Sequence, residues 1–371
     1  MKFVISSIDL VNQLQSLVRV VKTKNTLPAL DNFLFELNEK ELTITASDLE
    51  TTLITVLELE NAEGSGSIGI DARRLLNTVK DFNEPLTFNI DLGTLDVDIF
   101  SSKGKYRLVG IDSEEYPLVP EIDHENSITL TAESLMSAIN ATLFAAAIED
   151  LRPAMTGIYF KFSDDCMVSA GTDSNKLVKY KRLDVKTQEE KIFILSPKPA
   201  ALLKSLLPKD QTPVEIYIDN KSAKIKFSTI TLVCKLLEGN YPNFESVIPK
   251  DLSNKILIDK NAFQSVVRRV SLYANQAVQA IRLDVRKEDI DISAQDLDFS
   301  ISANESINCT FDGDELCIGF KAISLLEVLT NLTGNEIQID LSETSRPVVL
   351  SPVEKENENE EVIMLLMPIT V

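Results

Sequence analysis

An internal repeat constrains the fold of this 371-residue chain more than any other feature of its sequence. Three helix-like segments with apolar residues at helical spacing open the three copies: 6–21, 131–146 and 259–274. Each segment begins beside a residue that suits a helix N-terminus, namely Ser7, Thr131 and Asp259. Strand-like alternation of apolar and polar residues then follows each helix, at 33–55, 158–180 and 281–302.

A second set of helices lies in phase with the first. It occupies residues 71–82, 198–209 and 321–332, at spacings of 127 and 123 residues. A short apolar strand precedes each of these helices and further strands follow it, so the pattern β-α-β-β-β runs twice in each repeat. The sequence therefore predicts an α+β fold in which six copies of one unit build three domains.

Two smaller phrases recur with the repeat. Tyr116-Pro117 and Tyr241-Pro242 each follow a strand-like run and precede the next repeat. Their spacing predicts three domains: 1–124, 125–250 and 251–371. An aspartate also recurs in the second turn of each repeat, and we expect each one to close an Asx turn onto its own backbone: Asp48, Asp173 and Asp296.

The distribution of charge is uneven. The net charge of −20 argues by itself against binding to nucleic acid, since phosphate contacts need clustered Lys and Arg. Six segments cover the predicted helices: 8–24, 71–81, 132–147, 198–209, 260–276 and 321–332. They hold thirteen Lys and Arg against five Asp and Glu, a net of +8, which leaves −28 for the remainder. If the helices share one side of an assembly, that side attracts phosphate.

The reactive residue types point away from catalysis. The four cysteines lack metal-binding spacing and lie in or beside apolar, strand-like runs, which predicts buried, reduced thiols: Cys166, Cys234, Cys309 and Cys317. The one histidine, His124, is predicted in a surface loop, and its count excludes His-based triads and multi-His metal sites. We therefore expect no catalytic residue, no metal and no cofactor.

Two further motifs have a chemical and a plain interpretation. GSGSIG at 64–69 matches the glycine pattern of dinucleotide-binding loops. A strand from Ser67 to Ile70 separates its first two glycines from the next helix, which favours a plain loop. The acidic run at 354–361 is predicted as a solvated hairpin loop rather than a metal site, because nothing fixes its carboxylates.

Short motifs along the whole chain also carry a family resemblance. They are MKF at the start, TLPAL at 26–30, TASDLE at 45–50, GTDSNKL at 171–177, EGNYPNFESVIP at 238–249, IGF at 318–320 and LLMPITV at the end. In order and spacing they resemble the beta subunits, or sliding clamps, of bacterial DNA polymerase III. The resemblance implies the DNA-clamp fold, with antiparallel sheets outside and two helices per domain inside, in a ring-forming homodimer.

The same resemblance implies a function without catalysis. A sliding clamp is a processivity factor that encircles duplex DNA as a head-to-tail dimer and tethers replicative polymerase and repair factors through a peptide-binding pocket. The implied partners are double-stranded DNA, a second copy of the chain, an ATP-driven clamp loader, and polymerase subunits and repair proteins with short binding motifs. No apolar run approaches the roughly 20 residues of a membrane span, so we expect no membrane partner and a cytoplasmic location.

Three sets of site residues follow from the resemblance and the charge pattern. The partner-peptide pocket set is Met155, Thr172, Ser174, Asn175, Lys176, Leu177, Pro242, Ser246, Val247, Leu365, Met367, Pro368, Ile369 and Thr370. The DNA set is Lys24, Arg73, Arg152, Lys198, Arg268 and Arg269. The dimer set pairs a basic edge, Arg74, Thr78, Phe82, Lys103, Lys105 and Arg107, with Leu272, Tyr273, Asp298 and Glu305.

The chain departs from the family at the pocket rim. The family commonly has Gly-His-Arg where this chain has Ser174-Asn175-Lys176, and Arg where it has Ser246, so the preferred peptide motif is expected to differ. A different class of function also stays open at this point. A repeat-built interaction scaffold that never threads DNA would carry its basic helices into bulk solvent, and an enzyme would require GSGSIG to bind a nucleotide.

Overall fold

The computed structural model describes residues 1–120, 122, 127–149, 151–355 and 357–371. The loop predicted to hold His124 lies outside these residues. Six α-helices form within them: α1 Ser7–Leu17, α2 Ala72–Val79, α3 Ala132–Thr142, α4 Pro197–Leu206, α5 Lys260–Ser271 and α6 Ala322–Asn331. Short 3-10 helices also form, at Pro28–Asp31, Ser113–Glu115, Leu143–Ala145, Pro153–Thr156 and Phe244–Val247.

The strands fall into the same repeated order. The first set is β1 Lys2–Ser6, β2 Asn32–Asn38, β3 Glu41–Ser47, β4 Thr51–Glu58, β5 Asn61–Glu63, β6 Gly66–Asp71, β7 Pro85–Asp91, β8 Asp96–Phe100, β9 Lys105–Val109 and β10 Ile111–Asp112. The middle set is β11 Ile128–Thr131, β12 Ile158–Phe162, β13 Met167–Thr172, β14 Lys176–Arg182, β15 Lys191–Leu195, β16 Pro213–Ile218, β17 Ser222–Phe227 and β18 Ile230–Lys235. The last set is β19 Asn254–Asp259, β20 Ala280–Val285, β21 Asp289–Asp296, β22 Ile301–Asn308, β23 Thr310–Asp312, β24 Leu316–Lys321, β25 Glu336–Leu341, β26 Val348–Pro352 and β27 Glu360–Leu366.

The sixfold unit predicted from the sequence is confirmed. β1-α1-β2-β3-β4 is followed by β6-α2-β7-β8-β9, and the same order starts again at β11, β15, β19 and β24. The pairings between successive strands of these units are antiparallel, as in β2 with β3 and β13 with β14. The architecture is therefore α+β, as expected.

The chain folds into two compact units. The first unit comprises Met1–Glu133 and Ala201–Leu236, and the second comprises Ser134–Ala200 and Leu237–Val371. The first unit contains a five-stranded sheet, β5-β1-β7-β8-β9, and a nine-stranded sheet, β10-β6-β2-β3-β4-β18-β17-β16-β11. The second unit contains a nine-stranded sheet, β15-β12-β13-β14-β27-β26-β25-β19-β23, and a four-stranded sheet, β22-β21-β20-β24.

The nine-stranded sheets join strands of neighbouring repeats. β4 pairs with β18 in the first unit, and β14 pairs with β27 in the second. Because a ladder of backbone hydrogen bonds spans each of these joints, the compact units divide the second repeat instead of following the sequence repeats.

Helix starts follow the expected capping chemistry with one correction. Asp71 and Asp259 each accept a hydrogen bond at 2.7 Å from the amide three residues on. The cap of α1 is Ser6 rather than Ser7, since the Ser6 hydroxyl accepts from the amide of Asp9 at 3.4 Å. Ser7 is buried and instead donates to the carbonyl of Phe82 at 2.9 Å.

The helices end earlier than the sequence predicts, which changes the charge count. Six of the thirteen basic residues lie outside the helices: Arg19, Lys22, Lys24, Lys80, Lys209 and Lys321. The helices keep Arg73, Arg74, Lys198, Lys204, Lys260, Arg268 and Arg269 against Asp9, Glu133 and Glu327. The basic excess persists but is smaller, because α1, α2 and α4 end before the cations that follow them, and Lys321 precedes α6 as its N-cap.

Each unit has an aromatic core. Phe3 and Phe88 stack with ring centroids 4.9 Å apart in the first unit, and Phe160 and Phe193 stack at 5.2 Å in the second. Burial of each such ring contributes about 1.5–3 kcal/mol. No helix of the described residues is long and apolar enough to cross a membrane.

The thiols only partly match the prediction. Cys166 and Cys234 are buried, whereas Cys309 and Cys317 are half-buried. Cys317 lies near the start of β24, an edge strand of the four-stranded sheet.

The three predicted Asx turns are confirmed. Asp296 closes its Asx turn by accepting from the amide of Asp298 at 2.9 Å, and Asp48 and Asp173 do the same in their turns. Of the glycines of GSGSIG, Gly64 lies between β5 and β6, and Gly66 and Gly69 lie on β6 itself, which leads into α2. The described part of the acidic run at 354–361 joins β26 to β27 and extends into the start of β27.

Candidate functional site

A cavity of about 260 Å³ lies in the second unit. The residues that line it are Arg152, Met155, Thr172, Ser174, Asn175, Lys176, Leu177, Pro242, Asn243, Phe244, Val247, Pro347, Leu365 and Met367. Ten of the fourteen positions in the predicted pocket set are among them. The structure thus brings together residues from five separate stretches of the chain.

The floor of the cavity is apolar, and apolar side chains also stand at its mouth. Leu177, Leu365 and Met155 are buried, with exposed fractions of 4%, 2% and 2%. Val247 and Met367 stand at the mouth, with exposed fractions of 50% and 40%. Apolar side chains that solvent reaches at a concave site suit an apolar anchor residue from a partner.

The turn between β13 and β14 forms one wall. The hydroxyl of Thr172 donates to the carbonyl of Lys176 at 2.8 Å, and Oδ1 of Asp173 accepts from the amides of Asn175 and Lys176 at 2.9 and 2.8 Å. Ser174 has φ of 73°, a left-handed conformation that favours glycine. Side-chain hydrogen bonds of this turn thus hold a strained residue at the cavity rim.

Lys176 is a buried cation beside the cavity, with 6% of its side chain exposed. Its Nζ lies 2.5 Å from Oδ2 of Asp173 and 2.9 Å from Oε2 of Glu327 on α6. Burial acts to lower the pKa of Lys176, but the hydrogen bonds to the two carboxylates outweigh it and raise that pKa above the ordinary value. The lysine therefore stays charged, and its charge is neutralised inside the protein.

The segment that follows the second Tyr-Pro step forms another wall. The hydroxyl of Tyr241 donates to the carbonyl of Ala170 at 3.3 Å, and the ring of Tyr159 lies 5.3 Å from that of Tyr241 and 5.4 Å from that of Phe244. Burial raises the pKa of Tyr241, so the hydroxyl stays protonated as a donor. An ion pair of 2.6 Å between Lys179 and Glu245 adds a further tie. The aromatic cluster fixes Pro242 and Val247 at the cavity.

The C-terminal tail forms the last wall. The amide of Met367 donates to the carbonyl of Asn175 at 2.8 Å, and the amide of Ile369 donates to the carbonyl of Gly319 at 2.9 Å. Of the predicted pocket set, four residues do not line the cavity: Ser246, Pro368, Ile369 and Thr370. Thr370 instead lines a more polar groove beside β20, β21 and β22.

Sequence reasoning missed four lining residues, and one of them was assigned to the DNA set. Arg152 belongs to the predicted DNA set, yet it lines this cavity and donates to the hydroxyl of Ser174 at 3.2 Å. Phe244 and Asn243 are adjacent to the predicted Pro242, so their place in the motif could have identified them. Pro347 comes from a loop whose sequence carries no comparable signal.

The five-stranded sheet of the first unit has an exposed edge strand. β9 is the last strand of its sheet, and Lys105 and Arg107 on it lie beside acids of β8. Lys105 contacts Asp98 at 2.9 Å, and a hydrogen bond from Arg107 lowers the pKa of Asp96. Of the other predicted dimer residues here, Arg74 and Lys103 are exposed, and Thr78 and Phe82 are half-buried.

The second unit has a matching open edge at β22. Glu305 on this strand accepts from Nε of Arg269 at 3.0 Å, a hydrogen bond that lowers the pKa of Glu305. Leu272 and Tyr273, which follow α5, expose 76% and 42% of their surface, and Asp298 is exposed too. Every one of these four residues belongs to the predicted dimer set.

The predicted DNA set is spread over both units. Lys24 follows α1 and Arg73 lies on α2, and both are exposed in the first unit. In the second unit, Arg268 is exposed on α5 and Lys198 is half-buried on α4. Arg269 is committed to Glu305.

Three family models match the chain almost from end to end. The N-terminal, central and C-terminal domains of the DNA polymerase III beta subunit match residues 1–120, 129–243 and 245–369. This chain belongs to the DNA polymerase III beta subunit family.

Full-length relatives of this beta subunit agree with the family. The beta sliding clamp of Bacillus subtilis (strain 168) is 26% identical over 381 residues, which cover 100% of this chain and 99% of the relative. The beta sliding clamp of Staphylococcus aureus (strain Mu50 / ATCC 700699) is 24% identical over 380 residues, with the same coverage.

Solved structures agree as well. The crystal structure of the DNA polymerase sliding clamp from Bacillus subtilis matches with a TM-score of 0.92 and 26% identity, and covers 100% of this chain and 99% of that one. The beta subunit from the DNA polymerase of Streptococcus pyogenes, at 22% identity, has the same fold with a TM-score of 0.95 over 100% of both chains. This beta subunit is thus a sliding clamp of DNA replication, a processivity factor of DNA polymerase and not a catalyst.

Proposed function

We propose that this beta subunit forms a head-to-tail dimer, closed as a ring around duplex DNA. We propose further that the cavity of the second unit binds short linear peptides of polymerase subunits, repair proteins and the clamp loader. The protein would act in the cytoplasm. The observation that carries the peptide proposal is the apolar cavity itself, which presents Met367 and Val247 to solvent above a floor of Leu177 and Leu365.

The two open edges support the ring. β9 carries cations and β22 carries Glu305 beside exposed Leu272 and Tyr273. Joining β9 of one protomer to β22 of its partner would pair two exposed backbones, bring opposite charges together and cover apolar side chains. A head-to-tail pairing of this kind closes when it is made twice.

The mass in solution tests the ring directly. We expect static light scattering to give about twice the 41.2 kDa of one chain. A mass of one chain at micromolar concentration would refute the dimer.

Encirclement would hold the clamp on DNA without tight contacts. The exposed Lys24, Arg73 and Arg268 supply weak, salt-sensitive attraction to phosphate, which permits sliding. With its loader, the protein should stay on nicked circular DNA far longer than on a short linear duplex with open ends, as measured by gel filtration. Equal release from the two DNAs would mean that affinity, not topology, retains it.

A direct titration tests the pocket. We expect a short fluorescein-labelled peptide that ends in Leu-Phe to bind with micromolar affinity, since two apolar anchors can enter the cavity. The same peptide with both anchors changed to Ala is the control. Equal binding of the two peptides would contradict the assignment.

We also propose that the chain has three domains, at 1–124, 125–250 and 251–371. The boundary at 124 falls between the first two family matches, which end at 120 and begin at 129. The boundary at 250 falls five residues after the third match begins at 245. Limited proteolysis with mass spectrometry would test whether cleavage clusters at these two places.

A further inference from the structure

The C-terminal tail, residues 367–371, joins the two sheets of the second unit. The chain leaves the nine-stranded sheet at Leu366, where β27 ends. The tail then reaches the four-stranded sheet, where Ile369 forms an isolated antiparallel bridge with Gly319. Gly319 lies on β24, the edge strand of that sheet.

The tail lies directly on the backbone of Gly319. A Cβ atom at this position would lie 2.3 Å from Cγ1 of Val371 and 2.7 Å from the carbonyl oxygen of Ile369. Both distances are shorter than real Cβ contacts, and the second involves backbone that cannot turn aside. A side chain at 319 therefore competes with the tail for the same space.

The equivalent positions show what the glycine is for. In the second repeat the same backbone bond runs from the amide of Leu237 to the carbonyl of Ile194, at 3.0 Å, although Ile194 has a large buried side chain. The repeated unit itself thus tolerates a side chain here. Gly69 in the first repeat lies against Ile111, and Gly319 in the third lies against the tail. Glycine occurs where a docked segment covers the strand closely.

The tail docking bears on the cavity through Met367. Met367 lines the cavity and has one backbone anchor at Asn175 and the next at Gly319, two residues further along through Ile369. Without the second anchor, Met367 would keep its backbone hydrogen bond to Asn175 but would sample other positions. A wall that must be ordered during binding lowers affinity.

We propose that Gly319, which does not line the cavity, is a positioning residue for peptide binding. It leaves the space in which the tail docks, and the docked tail holds Met367 at the cavity wall. This inference rests on the peptide-binding function proposed above.

The test is Gly319→Ala in the full-length protein, with the fluorescein-labelled peptide ending in Leu-Phe as probe. We expect affinity to fall about tenfold, which corresponds to about 1.4 kcal/mol. Hydrogen exchange at the amide of Ile369 should become faster, while the urea midpoint changes little. Gly313→Ala is the matched control, since its Cβ would meet Asn254 and Phe311 at 2.6 Å but no residue of the tail.

A rescue separates positioning from general damage. Adding Val371→Gly to Gly319→Ala removes the closest clash and should restore part of the affinity. If Gly319→Ala fails to fold, Ile369→Pro makes the same test by removing the N–H that donates to Gly319. If the folded Gly319→Ala variant, or Ile369→Pro in its place, binds the peptide as tightly as wild type, the inference is overturned. Failure of the wild-type protein to bind the peptide refutes the proposed function instead, and the exchange rate of Ile369 still reports whether Gly319 docks the tail.

Discussion

The Asp48 turn of the first unit and the Asp173 turn of the second are built from the same hydrogen bonds. Oδ1 of Asp48 accepts from the amide of Thr51 at 2.7 Å, and Oδ1 of Asp173 accepts from the amide of Lys176 at 2.8 Å. The residue after each aspartate has φ of 73°. The backbone of the repeated unit is thus reproduced closely in two places with different side-chain surroundings.

The end of a neighbouring strand, β18 or β27, is hydrogen-bonded to each turn in the same way. The amide of Lys235 donates to the carbonyl of Glu50 at 2.9 Å, and the amide of Met367 donates to the carbonyl of Asn175 at 2.8 Å. The side chains differ, because Lys235 forms an ion pair with Glu50 at 3.1 Å, whereas Met367 lines the cavity. The comparison teaches that the shared backbone supplies a frame, and that a few side chains and the tail form the cavity that we propose to bind a peptide.

The largest expected effect comes from removing two apolar side chains that lie beside the second turn. Met367→Ala with Leu177→Ala should weaken binding of the Leu-Phe peptide by about 100-fold or more, since two central anchors contribute about 2 kcal/mol each. Isothermal calorimetry measures the affinity, and light scattering checks that the dimer persists.

The matched control for this change lies in the first turn. Lys235 occupies the position equivalent to Met367, and Lys235→Ala should leave peptide affinity unchanged. If the double variant kept its affinity for the peptide, the cavity would not be the peptide-binding site.

A smaller effect distinguishes the lysines of the two turns. Lys176→Met leaves Asp173 and Glu327 without their buried cation, and we expect the free energy of unfolding to fall by about 2 kcal/mol. Lys235→Met removes an exposed pair and should cost about 0.5 kcal/mol or less. Urea denaturation measures both, and equal losses would show that burial of Lys176 contributes nothing.

The stability that Lys176 contributes is also expected to depend on pH. The folded-state pKa of Lys176 is raised above its unfolded value of about 10.4. Its stabilisation is therefore full below pH of about 10.4 and is lost as pH rises through the higher folded value. The stability difference between wild type and Lys176→Met should shrink over that range in urea titrations at successive pH values. A constant difference would contradict it.

The smallest effect tests the strain shared by the turns. Ser174→Gly should stabilise the protein by about 0.5 kcal/mol, because relief of the left-handed conformation exceeds the added freedom of the unfolded chain. Leu49→Gly should behave alike, since the two residues share φ of 73°. Ser174→Ala, which loses the hydroxyl but keeps the strain, should not stabilise. Thermal unfolding measures all three.

Much of the fold could be predicted because its determinants are local. The six β-α-β-β-β units follow from apolar periodicity, and the Asx turns follow from Asp48, Asp173 and Asp296 bonding to their own neighbours. The ten cavity residues that matched came from the family motifs rather than from physical reasoning on the sequence. The helix ends were predicted too late, and at α1, α2 and α4 the cations just beyond the end resemble those of a last helical turn.

The sequence by itself determined the repeated unit and its turns, because these depend on interactions between residues close in the chain. Only the tertiary structure decided that β4 pairs with β18 and β14 with β27, and so where the compact units divide. It also decided that Arg152 joins a cavity and that Gly319 lies under the tail. These contacts form between residues far apart in the chain, where packing selects partners that periodicity cannot identify.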